Sequence, residues 1–248
     1  WFGTSGEMKA FVSGPGNAVI NDWVMKHGGM HMDYNGKLAI TGKVNEQIVA
    51  SMMRHKFFAQ YPPKAADRTI FNEKLEHLEG LSLEDGAATA TAFIAEAVAY
   101  SLLLYLPEIP GKLIVCGGGA KNPTLVRFLR QRLPDIGIST AAEEGFDVNA
   151  LEAQAFAYLA VRRLYHLPAT FPSTTGVAEP MVCIIDFRTQ KPFPGKRNSH
   201  LQSPDRHNKH PDIAERNSHR RSATGLQGHR QIIILTPDQL PGTFHPDQ

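Results

Sequence analysis

The chain has little cysteine: two in 248 residues, Cys116 and Cys183. That is too few for a disulfide framework and fits a reducing, cytosolic setting. It also lacks a charge excess. Lys and Arg number 26 against 24 Asp and Glu, a formal net charge of +2, which gives no electrostatic case for a nucleic-acid partner. No long apolar run is free of polar residues: the longest, Ala87 to Leu106, carries Glu96 and several Thr and Ser residues. It is expected to be a buried helix, with no membrane partner. No signal peptide is visible and the first residue is Trp1 rather than Met, which suggests a fragment. The hydrophobic share, 42%, still suffices for one or two cores.

What is present is organised around Leu113-Ile114-Val115-Cys116-Gly117-Gly118-Gly119-Ala120-Lys121-Asn122, followed by Pro123-Thr124-Leu125. A β-branched apolar run ends at three glycines, and a helical pattern starts within a few residues. Adjacent glycines let the backbone take positive φ and approach a ligand closely. Asn122 suits an N-cap, Pro123 the first turn, and the positive end of the helix dipole faces the loop. Strand, glycine turn and helix N-terminus together form a cradle for a nucleotide, or a tight turn with no ligand. The stretch lacks the Gly-Lys-Ser/Thr ending of a Walker A loop and the G-x-G-x-x-G spacing of a dinucleotide fingerprint.

The rest alternates. Glu7 to Ser13 predicts a strand broken at Gly14-Pro15-Gly16-Asn17, and a helix follows from Ala18 to Lys26, ended by Gly28-Gly29. Asn45 caps a helix expected to reach Phe57; Pro62-Pro63 stops the chain, and a short helix lies near Phe71. Lys64 and Arg68 are either anion ligands or solvated cations. Ser82-Leu83-Glu84-Asp85 opens the long helix to Leu106 as a capping box. Beyond the strand at 112–116 come a helix from Pro123 to Leu133, a strand from Ile136 to Thr140, and a helix capped by Asp147 or Asn149 that runs to His166. Glu152 sits in its first turn, where the dipole favours a carboxylate. This alternation predicts an α/β fold. From Asp186 onward there are ten Lys/Arg, six Asp/Glu and six of the eleven His, with few large apolar residues besides Ile232 to Leu235. The division is therefore a folded lobe over 1–185 and a basic, disordered tail over 186–248.

Six blocks resemble one family: Phe11 with Gly14 to Asn17; Asp33 to Gly42; Pro62-Pro63-Lys64 with Arg68 and Phe71; Cys116 to Asn122; Leu151 to Ala160; and Pro168 with Thr174-Thr175-Gly176. Their order and spacing resemble the anhydro-N-acetylmuramic acid kinase family, within the sugar kinase/Hsp70/actin superfamily. The resemblance implies the C-terminal half of an actin-like (ribonuclease H-like) ATPase lobe, with a mixed sheet flanked by helices. It implies an ATP- and Mg²⁺-dependent reaction on an amino sugar, in which water opens the 1,6-anhydro ring while O6 is phosphorylated. Gly117, Gly118, Gly119, Ala120 and Asn122 match the nucleotide side; Glu152, Gly14, Gly16 and Asn17 match the sugar side. The catalytic base and phosphate loop are expected in an N-terminal lobe that this chain lacks, so the chain alone is expected to be inactive. A homodimer is a further implication.

The sequence departs from the family pattern at Val12 and Ser13, where the family has Asp-Thr. It departs again at Lys64-Ala65-Ala66-Asp67-Arg68, against Lys-Ser-Thr-Gly-Arg. After Met181 the family pattern stops, so the tail is read as foreign to the family. An inactive truncated remnant and another sugar kinase of the superfamily stay open as alternatives.

Overall fold

The structure, a computed structural model, describes residues 1–148, 150–182 and the backbone of 231–234. In chain order the elements are α1 (Ala18–Gly28), α2 (Glu46–Met52), α3 (Leu83–Tyr105), β1 (Lys112–Val115), α4 (Gly117–Ala120), α5 (Pro123–Arg132), β2 (Gly137–Thr140), α6 (Leu151–Leu164), α7 (Pro172–Thr175) and β3 (Gln231–Ile234). Short 3₁₀ segments lie at Tyr34–Gly36, Lys56–Ala59 and Arg68–Leu78.

The helices begin where side chains can satisfy the open N–H groups of a first turn. Asn45 accepts from Gln47 and Ile48 N at 3.1 Å, Ser82 Oγ from Asp85 N at 3.1 Å, and Asn122 from Leu125 N at 3.0 Å. At Ser82 only half of the expected box forms, because the Asp85 carboxylate accepts from Lys43 N instead. α1 ends at Gly29, in the left-handed region at φ 64, whose N–H returns to Met25 O. The helix expected from Asn45 to Phe57 stops at Met52. His55 is extended there, and its Nδ1 accepts from Phe57 N to start a separate 3₁₀ turn.

β1, β2 and β3 form one parallel sheet with β1 in the middle. The segment containing α4 and α5 is the helical crossover that the parallel β1–β2 pair requires. The fold is α/β as expected, but the mixed sheet is corrected: among the described residues, antiparallel pairing is confined to two isolated bridges, Phe2–Met8 and Thr170–Met181. Glu7 to Ser13 forms no strand. Its N–H groups go to three separate segments, Lys9 to Trp1 O, Ala10 to Ser173 O and Val12 to Lys64 O, so no ladder develops. Gly3 to Gly6 closes a small hairpin before it. Within the span read as disordered, Gln231–Ile234 forms β3, in agreement with the extended-backbone preference of consecutive isoleucines. Cys183 and the rest of 186–248 lie outside the described residues, as do Asn149 and the side chain of Arg68.

α3 is the axis of the main core. Although long and apolar enough to cross a membrane, it is mostly enclosed by the chain itself. α1, α2 and α5 pack on it. Trp23 is fully buried, donates Nε1 to Leu83 O at 2.9 Å, and lies on Gly86, where any Cβ would overlap its indole ring. That explains a glycine one turn into a helix, where it costs about 1 kcal/mol against alanine in isolation. The hydroxyls of α3 are satisfied: Thr91 Oγ1 donates to Ala87 O, Thr89 Oγ1 accepts from Asn45 N, and Ser101 Oγ donates to Ser13 O. Glu96, the charge in the apolar run, meets Arg132 of α5 at 3.2 Å.

Candidate functional site

β1 alternates its side chains between two clusters. Leu113 and Val115 join the main core, while Ile114 and Cys116 join a smaller one with Ala141, Phe146, Val148 and Leu151. The glycines therefore leave β1 from a point held on both faces. Gly117 takes φ 65, and Gly117 to Ala120 wind a single helical turn closed by Lys121 N to Gly118 O and Asn122 N to Gly119 O, both at 3.1 Å. Gly117 and Gly119 are buried; Gly118 and Ala120 are partly exposed. Asn122 is 8% exposed and its Oδ1 is committed to the α5 cap. Thr124 Oγ1 donates to Gly36 O at 2.9 Å, which seats the Asp33 to Gly42 block on this end of α5. Asp33 closes that loop by accepting from Leu38 N and Ala39 N at 2.9 and 3.0 Å. Two blocks far apart in sequence thus meet.

Glu152 is half-buried at the second position of α6. Its neighbour Leu151 packs in the cluster that holds Cys116, so the start of α6 and the glycine turn share one small core. Ala150 stands at the N-cap without a side-chain bond, and the carbonyl of Asp147 accepts from Ala150 N and Leu151 N at 3.1 Å. Burial pushes the Cys116 thiol up to about 11, so it stays protonated at neutral pH.

Gly14, Gly16 and Asn17 belong to a second grouping. A Cβ on Gly14 would sit 2.9 Å from Cβ of Ala97 in α3, and Gly16 takes φ 59. Asn17 precedes α1 but makes no cap bond, and its Oδ1 is buried without a hydrogen-bond partner. A buried acceptor without a donor costs about 1–3 kcal/mol, which makes it the feature here most suggestive of a ligand. Val12 N donates to Lys64 O at 3.0 Å, and Pro63 meets Gly176. The first, third and sixth blocks therefore gather beside α3, with contacts that run to α3 and Lys64 rather than to Gly117 or Glu152.

Lys64 is 8% exposed, its Nζ 4.5 and 4.2 Å from the ring centres of Phe57 and Tyr105 and 3.3 Å from Phe57 O. Burial brings its ammonium down to about 8. Beyond it a cavity of about 730 Å³ is lined by Arg54, His55, Lys56, Asp67, Glu73 and Lys74 among others. Among the described residues, none of the sequence-predicted site residues lines it. Burial, and secondarily Lys74, lowers the His55 pKa despite Glu73 at 3.4 Å. The only sequence signal near this cavity was the Pro-Pro-Lys block.

Comparison with known proteins settles the family. The sequence profile described as anhydro-N-acetylmuramic acid kinase matches residues 4–185. The chain belongs to the anhydro-N-acetylmuramic acid kinase family. Over 184 residues it is 45% identical to the anhydro-N-acetylmuramic acid kinase of Zymomonas mobilis, covering 73% of this chain and 49% of that protein. With the Methylorubrum populi protein of the same name it shares 46% over 178 residues, 72% of this chain and 46% of the relative. With that of Rhodopseudomonas palustris strain BisB18 it shares 46% over 169 residues, 68% and 46%. The chain spans about half the length of these curated relatives. All six blocks lie inside the anhydro-N-acetylmuramic acid kinase match, which ends at residue 185, where the composition changes.

Proposed function

We propose that the chain is the second, actin-like lobe of a cytoplasmic kinase acting on 1,6-anhydro-N-acetylmuramic acid in peptidoglycan recycling. The family match over residues 4–185 carries this reading. In the proposed reaction water adds at the anomeric carbon, the bond from that carbon to O6 breaks, and O6 takes the terminal phosphoryl group of ATP. A carboxylate base that accepts the proton of water, and the loop that holds the phosphates, belong to the remaining half of the family's length. This lobe supplies the walls. The backbone of Gly117 to Ala120, rigidly anchored by β1 and free of long side chains, lets a nucleoside approach closely; Asn122 serves by fixing α5. Glu152, placed beside that turn through Leu151, is assigned to the sugar, and Asn17 Oδ1 to a hydroxyl or amide donor of the ligand. Among the described residues no group of three His, Cys, Asp or Glu side chains gathers. Mg²⁺ enters the proposal with the nucleotide's phosphates.

The test is ATP-dependent phosphorylation of the anhydro sugar by the chain alone and by the chain co-expressed with the unmatched half of a relative. Activity only in the pair, lost by at least about a hundredfold in Glu152→Gln with stability unchanged, is the expected result. A folded pair with no turnover on this sugar, but turnover on another, would reassign the acceptor. A folded pair inactive on every sugar tried would leave a non-catalytic remnant.

A further inference from the structure

β1 is paired along both edges, but its two neighbours come from different parts of the chain. β2 lies inside the stretch that matches the family, residues 4–185, whereas β3 lies well outside it at Gln231–Ile234. The β3 pairing is parallel and in register, Lys112 with Gln231, Leu113 with Ile232, Ile114 with Ile233 and Val115 with Ile234. Among the described residues, no part of the matched stretch supplies a strand at that edge. β1 itself is covered on both faces, Leu113 and Val115 by the main core and Ile114 by the cluster at Ala141. Strands of a parallel sheet covered on both faces read as continuous apolar, β-branched runs.

The span from 186 to 248 has a single run of consecutive large apolar residues, Ile232 to Leu235. Arg230 and Gln231 precede it, and Pro237, which cannot donate to a ladder, follows. One chain thus carries two liabilities. A strand edge has N–H and C=O groups to be paired, and an uncharged β-branched run pairs with other chains when left exposed. Joining the two removes both. We propose that this edge of β1 is a strand-acceptor site for an extended, uncharged, β-branched peptide running parallel to it, with Gln231–Ile234 as its built-in, exchangeable occupant. Main-chain hydrogen bonds supply the attraction and the branched side chains the selectivity, as in other recognition by strand addition. Residues 183–230 tie occupant to site, so a free peptide competes with an effective concentration on the order of 1 mM.

The test uses the full chain, with a fluorescent peptide of residues 229–236, His-Arg-Gln-Ile-Ile-Ile-Leu-Thr, as the probe. In amide hydrogen exchange, β3 amides should exchange at least about tenfold faster than those in the middle of α3, because an exchangeable strand opens without global unfolding. The double variant Ile232→Pro with Ile233→Pro removes two backbone donors from β3. It should keep the protection of α3, lose that of β1 by about tenfold or more, and bind the probe. The unsubstituted chain should bind the probe at least about tenfold more weakly, and a probe with proline at the same two positions should bind neither. β3 amides that exchange as slowly as those of α3 would make Gln231–Ile234 an integral strand and overturn the proposal. A double variant that fails to fold overturns it in the same way. So does β1 protection untouched by the prolines, and so does a folded double variant that ignores the probe. Equal binding by both chains would put the probe elsewhere, which also overturns it. Light scattering checks the source of the strand: a dimer of the unsubstituted chain that the prolines dissociate would mean an occupant from a second copy, against the built-in assignment.

Discussion

α3 and α6 are written in nearly the same alphabet and live in opposite surroundings. Ala-Thr-Ala-Thr-Ala-Phe-Ile-Ala in one and Ala-Gln-Ala-Phe-Ala-Tyr-Leu-Ala in the other both space small residues between large apolar ones. Sixteen of the 23 residues of α3 are buried, and none of the 14 of α6 is. The pattern specifies a helix that wants covering. It says nothing about where the cover comes from. For α3 the cover is α1, α2 and α5 of the same chain; for α6 the described residues cover little beyond its start at Leu151.

That contrast can be broken most sharply by truncating one large side chain on each helix. Phe93, fully buried in α3 against Phe58 and Phe71, should cost about 3–5 kcal/mol as Phe93→Ala in denaturant unfolding. Gly86→Ala tests α3 by addition rather than removal. Its Cβ has no room beside Trp23, so a loss of about 1–3 kcal/mol is expected where an exposed helical site would gain. Asn122→Ala, which uncaps the helix packed on α3, should cost about 1 kcal/mol by the same assay. Leu164→Ala, 75% exposed in α6, should stay within about 0.5 kcal/mol. A Leu164 effect rivalling that of Phe93 would erase the contrast.

Lys64 sharpens the α3 side by charge. It lies over Tyr105 near the end of that helix, and burial lowers its pKa to about 8. The unfolded chain therefore holds this proton more tightly than the folded one, so stability should rise with pH between about 8 and the ordinary lysine value near 10.4. Lys64→Met should flatten that rise. A difference between the two proteins that does not change with pH over this interval would mean that the ammonium is solvated.

Much of the fold was legible because its signals are local. A cap at Asn45, Ser82 or Asn122 needs only a short polar side chain just ahead of an apolar period. β1 is a β-branched run with a glycine stop, and Leu151 to Ala160 reads as a helix from its alanines alone. What the sequence concealed depends on distant partners. His55 breaks the second helix because its ring bonds to the chain two residues on, inside a nest built by Glu73 and Phe71. Glu7 to Ser13 looked like a strand but found three neighbours instead of one. The site divides along the same line. The glycine turn and Glu152 could be picked out as residues, but their link through Leu151 and Cys116 could not. Nor could the unbonded Asn17 carbonyl or the cavity beside His55, since neither leaves a mark on local pattern.

The small cluster beneath the glycine turn also makes a clock. Cys116 is a buried thiol at the hinge between β1 and α4, almost wholly protonated at neutral pH, and alkylating reagents attack thiolates that they can reach. Its labelling therefore waits for the strand end to part from Ala141, Phe146 and Leu151. The rate at which mass appears on the peptide holding Cys116 counts those openings, and any molecule that steadies the turn from above will slow the count.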